Sequence, residues 1–267
     1  MRYCFLLLIT ALILSACKKG ETPEYNDRPV VEAYLASGYI PVIKISRQGS
    51  VSASVAYGTD SIPLLQVFLD VDGNSHQLAF RDSVFTDSTM VVTAGKTYRL
   101  HFQYNGKETS ATTTVPAAPQ GFGQSVTSIS LNKIDSNTVF TPGGFSMPDP
   151  VRLGWLNADK SYYMLVATNL ETDRELVRDT SKIKIFATSF RNTPSITDST
   201  RLTPMQFEYF GQYQLVLYHL NEEYAMLYIN SSNSSTDLTS PSTNISNGFG
   251  IFTGISTDTL FLQVYKK

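Results

Sequence analysis

Thr97 to Tyr104 is the segment that most narrows what this chain can become. Tyr98, Leu100, Phe102 and Tyr104 alternate without a break with Thr97, Arg99, His101 and Gln103. Successive side chains of a strand point to opposite faces, so the pattern sets an apolar face against a polar one. Asn105-Gly106 follows at once. Both residues tolerate the positive φ that a two-residue type I′ turn needs. Glu108 to Val115 then returns with Ala111, Thr113 and Val115 on one face, and Pro116 ends the sheet. Strand, tight turn and returning strand commit this region to antiparallel sheet.

The rest of residues 29–117 reads the same way. Val30, Val31 and Leu35 form one apolar stretch, and Val42, Ile43 and Ile45 another. Leu65 to Leu69 and His76 to Phe80 bracket Asp72-Gly73-Asn74, which is hairpin chemistry. Ala94-Gly95-Lys96-Thr97-Tyr98 resembles the turn into strand F of fibronectin type III and immunoglobulin-like domains. The resemblance implies that the Tyr98 hydroxyl bonds back to the turn backbone.

Residues 116–124, with two prolines and two glycines, read as an interdomain connection. Beyond it lie short strands at Val126 to Leu131 and Thr138 to Thr141, with turns at 142–144 and 147–150. Further strands are expected at Ser161 to Leu170, Leu176-Val177, Lys182 to Ser189, Met205 to Tyr209, Gln212 to Leu220 and Thr259 to Tyr265. One helix is expected at 221–230. Asn221 caps it, Glu222 and Glu223 suit its first turn, and Leu220, Tyr224, Leu227 and Tyr228 share a face. Ser231 to Ser246 is a Ser/Thr/Asn-rich loop. Fifteen tyrosines and fifteen phenylalanines suit a β protein. The fold expected is all-β: an immunoglobulin/fibronectin III-like sandwich over 29–117, then a second β-rich domain over 118–267 with one short helix.

The N-terminus states an address. Arg2 precedes an apolar run from Phe5 to Leu14, and Leu14-Ser15-Ala16-Cys17 closes it. This is a secretory signal over 1–16. The run falls short of the roughly 20 apolar residues of a membrane span, and Lys18-Lys19 stops it. Its junction resembles the lipobox of bacterial lipoproteins, which implies lipid on the Cys17 thiol, cleavage before it and acylation of the new amine. Residues 17–28 are then the lipidated cysteine and a polar tether. Cys4 leaves with the signal and Cys17 takes the lipid, so no thiol remains for a disulfide, a metal or catalysis. Without Arg2 there are 20 basic against 23 acidic side chains, a net charge of −3. That balance points away from nucleic acid.

Reactive constellations are hard to find. Asp70-Val71-Asp72-Gly73-Asn74 opens like a calcium loop, but Ser75 and Arg81 stand where glycine and a bidentate acid belong, so a hairpin turn is the better reading. His76, His101 and His219 have no partner at zinc-ligand spacing and read as scattered histidines. There is no Gly-x-Ser-x-Gly elbow. Glu171 with Asp173, or Glu222 with Glu223, would be arbitrary carboxylate pairs. Gly248 to Gly254 lacks the Lys-Ser/Thr of a phosphate loop and reads as a turn passing close to aromatic rings. The sequence therefore points to no catalytic, cofactor-binding or metal residue and to no cofactor. Asp-Ser/Thr triplets at 60–62, 82–84, 87–89, 198–200 and 258–260 resemble an O-glycosylation acceptor pattern of exported proteins in Bacteroidota, and plain turn chemistry accounts for them equally well.

Landmarks in order carry one further resemblance. They are Val30-Val31-Glu32-Ala33-Tyr34-Leu35, Pro41-Val42-Ile43-Lys44-Ile45-Ser46, Ala94 to Tyr98, Thr114-Val115-Pro116, Pro148-Asp149-Pro150, Tyr162-Tyr163 and Asn244 to Phe252. Together they resemble the Bacteroidota lipoprotein family known as domain of unknown function 4249. That family has no established activity, so no catalytic residue carries over. Its members tend to be encoded beside TonB-dependent receptors. The resemblance implies an outer-membrane lipoprotein of a Gram-negative cell, facing periplasm or exterior. Its partners would be the membrane, through the Cys17 lipid, and a TonB-dependent receptor. A non-catalytic binding or accessory module is the expected function, with loops at 140–150 and 231–254 as recognition segments. A structural or adhesive surface protein, pairing through exposed edge strands, is the alternative. A hydrolase comes third.

Overall fold

A computed structural model describes residues 27–47, 62–135, 138, 147–178, 187–231 and 243–267. Cys17, the signal and most of the tether lie outside the described residues. So do most of the strands expected at 138–141 and 182–189, the 140–146 part of the first recognition loop and residues 232–242 of the second.

Seven strands make the first half: β1 (Pro29–Ala36), β2 (Val42–Arg47), β3 (Val67–Val71), β4 (Asn74–Arg81), β5 (Val84–Thr86), β6 (Thr97–Tyr104) and β7 (Lys107–Thr114). The alternation in β6 is realised as burial: Tyr98, Leu100, Phe102 and Tyr104 are buried, while Thr97, Arg99 and Gln103 are exposed. Asn105 (φ 47°) and Gly106 (φ 71°) make the type I′ turn into β7, and Asp72 (φ 52°) and Gly73 (φ 78°) the one between β3 and β4. The Thr93 N–H donates to the Tyr98 hydroxyl at 2.8 Å, which is the expected tyrosine corner.

The second half adds β8 (Gln120–Gln124), β9 (Ser128–Leu131), β10 (Val151–Leu156), β11 (Tyr162–Asn169), β12 (Ser189–Arg191), β13 (Ser199–Leu202), β14 (Gly211–Leu220), α1 (Glu222–Ser231) and β15 (Phe249–Lys266). Twelve strands join one sheet in the order β12-β11-β14-β15-β1-β2-β5-β4-β3-β6-β7, with β9 also on β15. A smaller sheet, β13-β10-β8, packs beside it over a second core. The fold is all-β and sandwich-like with one short helix, as the sequence predicts.

β15 unites the two halves. Its 18 residues span about 60 Å at roughly 3.3 Å each. Phe249 to Ile255 pair in parallel with Val30 to Ala36. Ile255 to Val264 pair antiparallel with β14, and Gln263 to Lys266 pair in parallel with β9. Ile245 and Phe252 sit in the core of β1–β7, while Leu262 and Val264 sit in the core of the second half.

Several expectations are corrected here. Gly248 to Gly254 is no turn but chiefly the start of β15. Its glycines let other backbone approach: a Cβ on Gly250 would collide with the Val31 carbonyl, and one on Gly254 would lie 2.6 Å from the Val115 Cα. Residues 120–124, read as part of a connection, form β8. Pairing with β10 supplies hydrogen bonds that this glycine-rich stretch cannot supply locally. β10 itself was legible in its alternation, since Val151, Leu153 and Trp155 are buried, but was not picked out. The strand expected at Met205 to Tyr209 begins instead within a 3₁₀ turn, Pro204–Gln206, closed by the Thr203 N–H donating to Gln206 Oε1 at 2.7 Å.

Gly254→Val should lower stability by about 2–3 kcal/mol, because the new side chain meets backbone that cannot rotate away. Tyr98→Phe should cost about 1 kcal/mol through the stranded Thr93 N–H. Urea unfolding followed by circular dichroism checks both, and an unchanged midpoint for Gly254→Val would mean that β15 does not pass so close to Val115.

Candidate functional site

The segment leaving β7 is pinned by side chains from the second half. Thr113 Oγ1 accepts from the Gly254 N–H at 3.0 Å and from Asn221 Nδ2 at 2.9 Å, and donates to Glu223 Oε1 at 3.4 Å. One donor and two acceptor sites are thereby all used. The same Glu223 oxygen takes the hydroxyl of Thr253 at 3.0 Å. Asn221 Nδ2 also reaches the Thr114 carbonyl, Ser256 Oγ donates to the Pro116 carbonyl at 2.6 Å, and His219 Nδ1 donates to that of Ala117 at 2.7 Å. The connection is therefore clamped. The Asn221 carbonyl accepts the first bonds of α1, from the Tyr224 and Ala225 N–H groups, while its side-chain amide serves β7.

This clamp seats α1 against β15, with Ala225 fully buried. The helix sets its aromatic side chains beside outward-facing residues of the strands. Tyr34 of β1 and Tyr224 are 5.2 Å apart, ring centre to ring centre. Tyr224 and Tyr228, one helical turn apart, meet edge to face at 5.4 Å with hydroxyls 2.9 Å apart. The Arg191 guanidinium lies 4.5 Å above the Tyr228 ring. Tyr39, in the β1–β2 turn, is 68 % exposed and Tyr34 42 %. Ring pairs contribute about 0.5–1.5 kcal/mol each and an exposed cation over a ring about 0.5–1. A separate cleft of about 330 Å³ opens between α1 and the start of β15, with Glu222, Met226, Asn244 and Ile251 on its walls.

Burial, and then the hydrogen bond to Tyr228, drives the Tyr224 phenol well above its ordinary value of 10. Burial also raises Tyr34 and, with the neighbouring phenols of Tyr228 and Tyr39, Tyr218.

The residues weighed from sequence fall elsewhere. Asp70 takes Arg99 Nη1 at 3.4 Å and His101 Nε2 at 3.1 Å, and Asp72 pairs with Lys96 at 2.9 Å, as suits a hairpin. Burial works to raise the Asp70 carboxyl, yet hydrogen bonds from Ser75 and His101, among other contacts, hold it below its usual value. His101 stacks on Phe68, His76 lies 3.6 Å from Asp87, and His219 is buried against Tyr163. The three histidines stay apart. Glu171 Oε1 accepts the Gln212 N–H at 2.8 Å, which leaves it sealing the start of β14. Glu222 lines the cleft while Glu223 is spent in the clamp. Among the described residues, no three His, Cys, Asp or Glu side chains converge. Asp87 Oδ1 takes the N–H and hydroxyl of Thr89, which is turn chemistry at that triplet.

The sequence matches the family described as domain of unknown function (DUF4249) over residues 20–260. The chain belongs to the DUF4249 family. No curated protein matches it. The DUF4249 match extends into the second half of β15. Two landmarks, Val30 to Leu35 and Asn244 to Phe252, meet in this structure as the parallel β1–β15 pair. The tyrosine face was not found from sequence. Its one signal was Tyr224 and Tyr228 four residues apart on a helix; Tyr34 and Tyr218 are outward positions on strands far apart in the chain.

Above pH 10 the unfolded DUF4249 chain releases phenol protons that the folded chain keeps, so stability should fall as pH rises. Urea unfolding from about pH 9 to 11 should show this slope. Tyr224→Phe should make it shallower by up to about 1.4 kcal/mol per pH unit. An identical slope would mean that Tyr224 ionises as easily folded as unfolded.

Proposed function

We propose that this protein is a lipid-anchored, non-catalytic binding module that serves a TonB-dependent receptor at the outer membrane. The tyrosine face carries the reading: rigid aromatic rings on a paired sheet, partly open to solvent, are what recognition surfaces are made of. The lipobox at Leu14 to Cys17 supplies the address.

The chain's entry into the folded body supports this arrangement. Tyr104 Oη donates to Asp27 Oδ2 at 3.0 Å and Asn105 Nδ2 to the same oxygen at 3.3 Å, so the tether meets the body at the β6–β7 hairpin. β1 and β15 run side by side away from that end. Tyr39 lies in the turn just past the far end of β1. The adhesive alternative needs a free strand edge. At β7 the edge is partly taken: Ser110 and Ser246 exchange backbone hydrogen bonds, and Asn247 Nδ2 donates to the Glu108 carbonyl at 2.7 Å.

Membrane fractionation of wild type and Cys17→Ser, followed by affinity recovery of the anchored protein, tests the proposal. Wild type should enter the membrane fraction and recover a receptor barrel, and Cys17→Ser should stay soluble. Equal partitioning of the two would remove the anchor, and recovery of no barrel at native levels would remove the accessory role.

A further inference from the structure

We infer that the tyrosine face docks a protein segment carrying a carboxylate among apolar side chains, with Arg191 as the carboxylate's partner. This inference rests on the binding-module reading above and names what the face binds.

Arg191 stands at one end of the face. Its guanidinium is exposed and, among the described residues, pairs with no carboxylate; its contact is the Tyr228 ring beneath it. A guanidinium held over a ring still carries its N–H donors in the fork geometry that matches a carboxylate. Apolar surface occupies the other end. Tyr34 is exposed on β1 and Val42 opens the neighbouring strand β2, with Tyr39 and Ile40 leading into it. Ile40 and Val42 are 43 % and 44 % exposed. Tyrosine and arginine are enriched in protein interface hot spots, and the exposed aliphatic side chains beside them extend the apolar patch. The tyrosine and arginine composition favours a protein segment as the occupant, and a glycan stacked on the rings is an outcome that would overturn the inference. The nearest carboxylate on β1, Glu32, already holds Lys44 at 3.1 Å, which leaves Arg191 as the cation to be matched.

The test places a benzoylphenylalanine photo-crosslinker at Tyr39 of the full-length chain in its own cells. The crosslinked peptide is then sequenced. It should hold Asp or Glu within a few residues of aliphatic or aromatic side chains, and Arg191→Glu should cut the crosslink yield about tenfold, the factor that corresponds to about 1.4 kcal/mol. Arg191→Lys should retain part of the yield, since it keeps the charge and loses the fork. Arg191 is exposed, so these changes leave the fold intact. A crosslink to glycan or lipid, a partner peptide without an acid, or a yield indifferent to Arg191→Glu would each overturn the inference. So would the absence of any crosslink from protein that still fractionates with the membrane through Cys17, and that outcome would leave the lipid anchor standing.

Discussion

Backbone pairing along both flanks of β15 is the interaction on which the rest of the structure depends. The strand lies parallel to β1 for its first seven residues and antiparallel to β14 for the next stretch, so one continuous ladder enters both cores. Parallel pairing of the first strand with the last closes a very long loop, and that ordering must be repaid by burial and hydrogen bonds. The repayment is visible on both sides: Phe252 is fully buried among β1–β7, and Leu262 is fully buried among the strands of the second half. The glycines of β15 stand where the Val31 and Val115 backbones press against it, so closeness here excludes side chains.

The tyrosine face is a consequence of that strand. β15 brings Thr253 under α1, and Glu223 then ties the helix to Thr253 and Thr113 together. With the helix fixed, Tyr224 reaches Tyr34, and Tyr228 lies under Arg191. Residues from β1, α1 and β12 thus share one surface although far apart in the chain. For the binding role proposed, a surface built on paired strands and a clamped helix loses little conformational freedom on binding, which favours affinity. Membership of the DUF4249 family covers both halves of the fold that this arrangement needs.

Legibility from sequence followed the range of the forces involved. The β6–β7 hairpin was plain because alternation and Asn105-Gly106 are local signals, and Tyr98 was legible because its bond to Thr93 spans five residues. α1 could be read from its acidic first turn and the spacing of its aromatic side chains. β15 was not read whole. Its middle, Ser256 to Asp258, is small and polar, and neighbours on either flank make it a strand. β8 was missed for the same reason. Asn221 was expected to cap α1 with its side chain, yet its amide serves Thr113 and the Thr114 carbonyl across the fold. Arg191 carried no signal, since its meaning comes from a ring 37 positions later in the chain.

Amide hydrogen exchange under native conditions tests the shared strand most directly. If β15 makes both cores one cooperative unit, the amides of Val31 and Ala33 in β1 and those of Leu215 and Leu217 in β14 should open with the same free energy and respond alike to urea. Protection in β1 that disappears at low urea while β14 stays protected would contradict the account, because the two cores would then be unfolding apart.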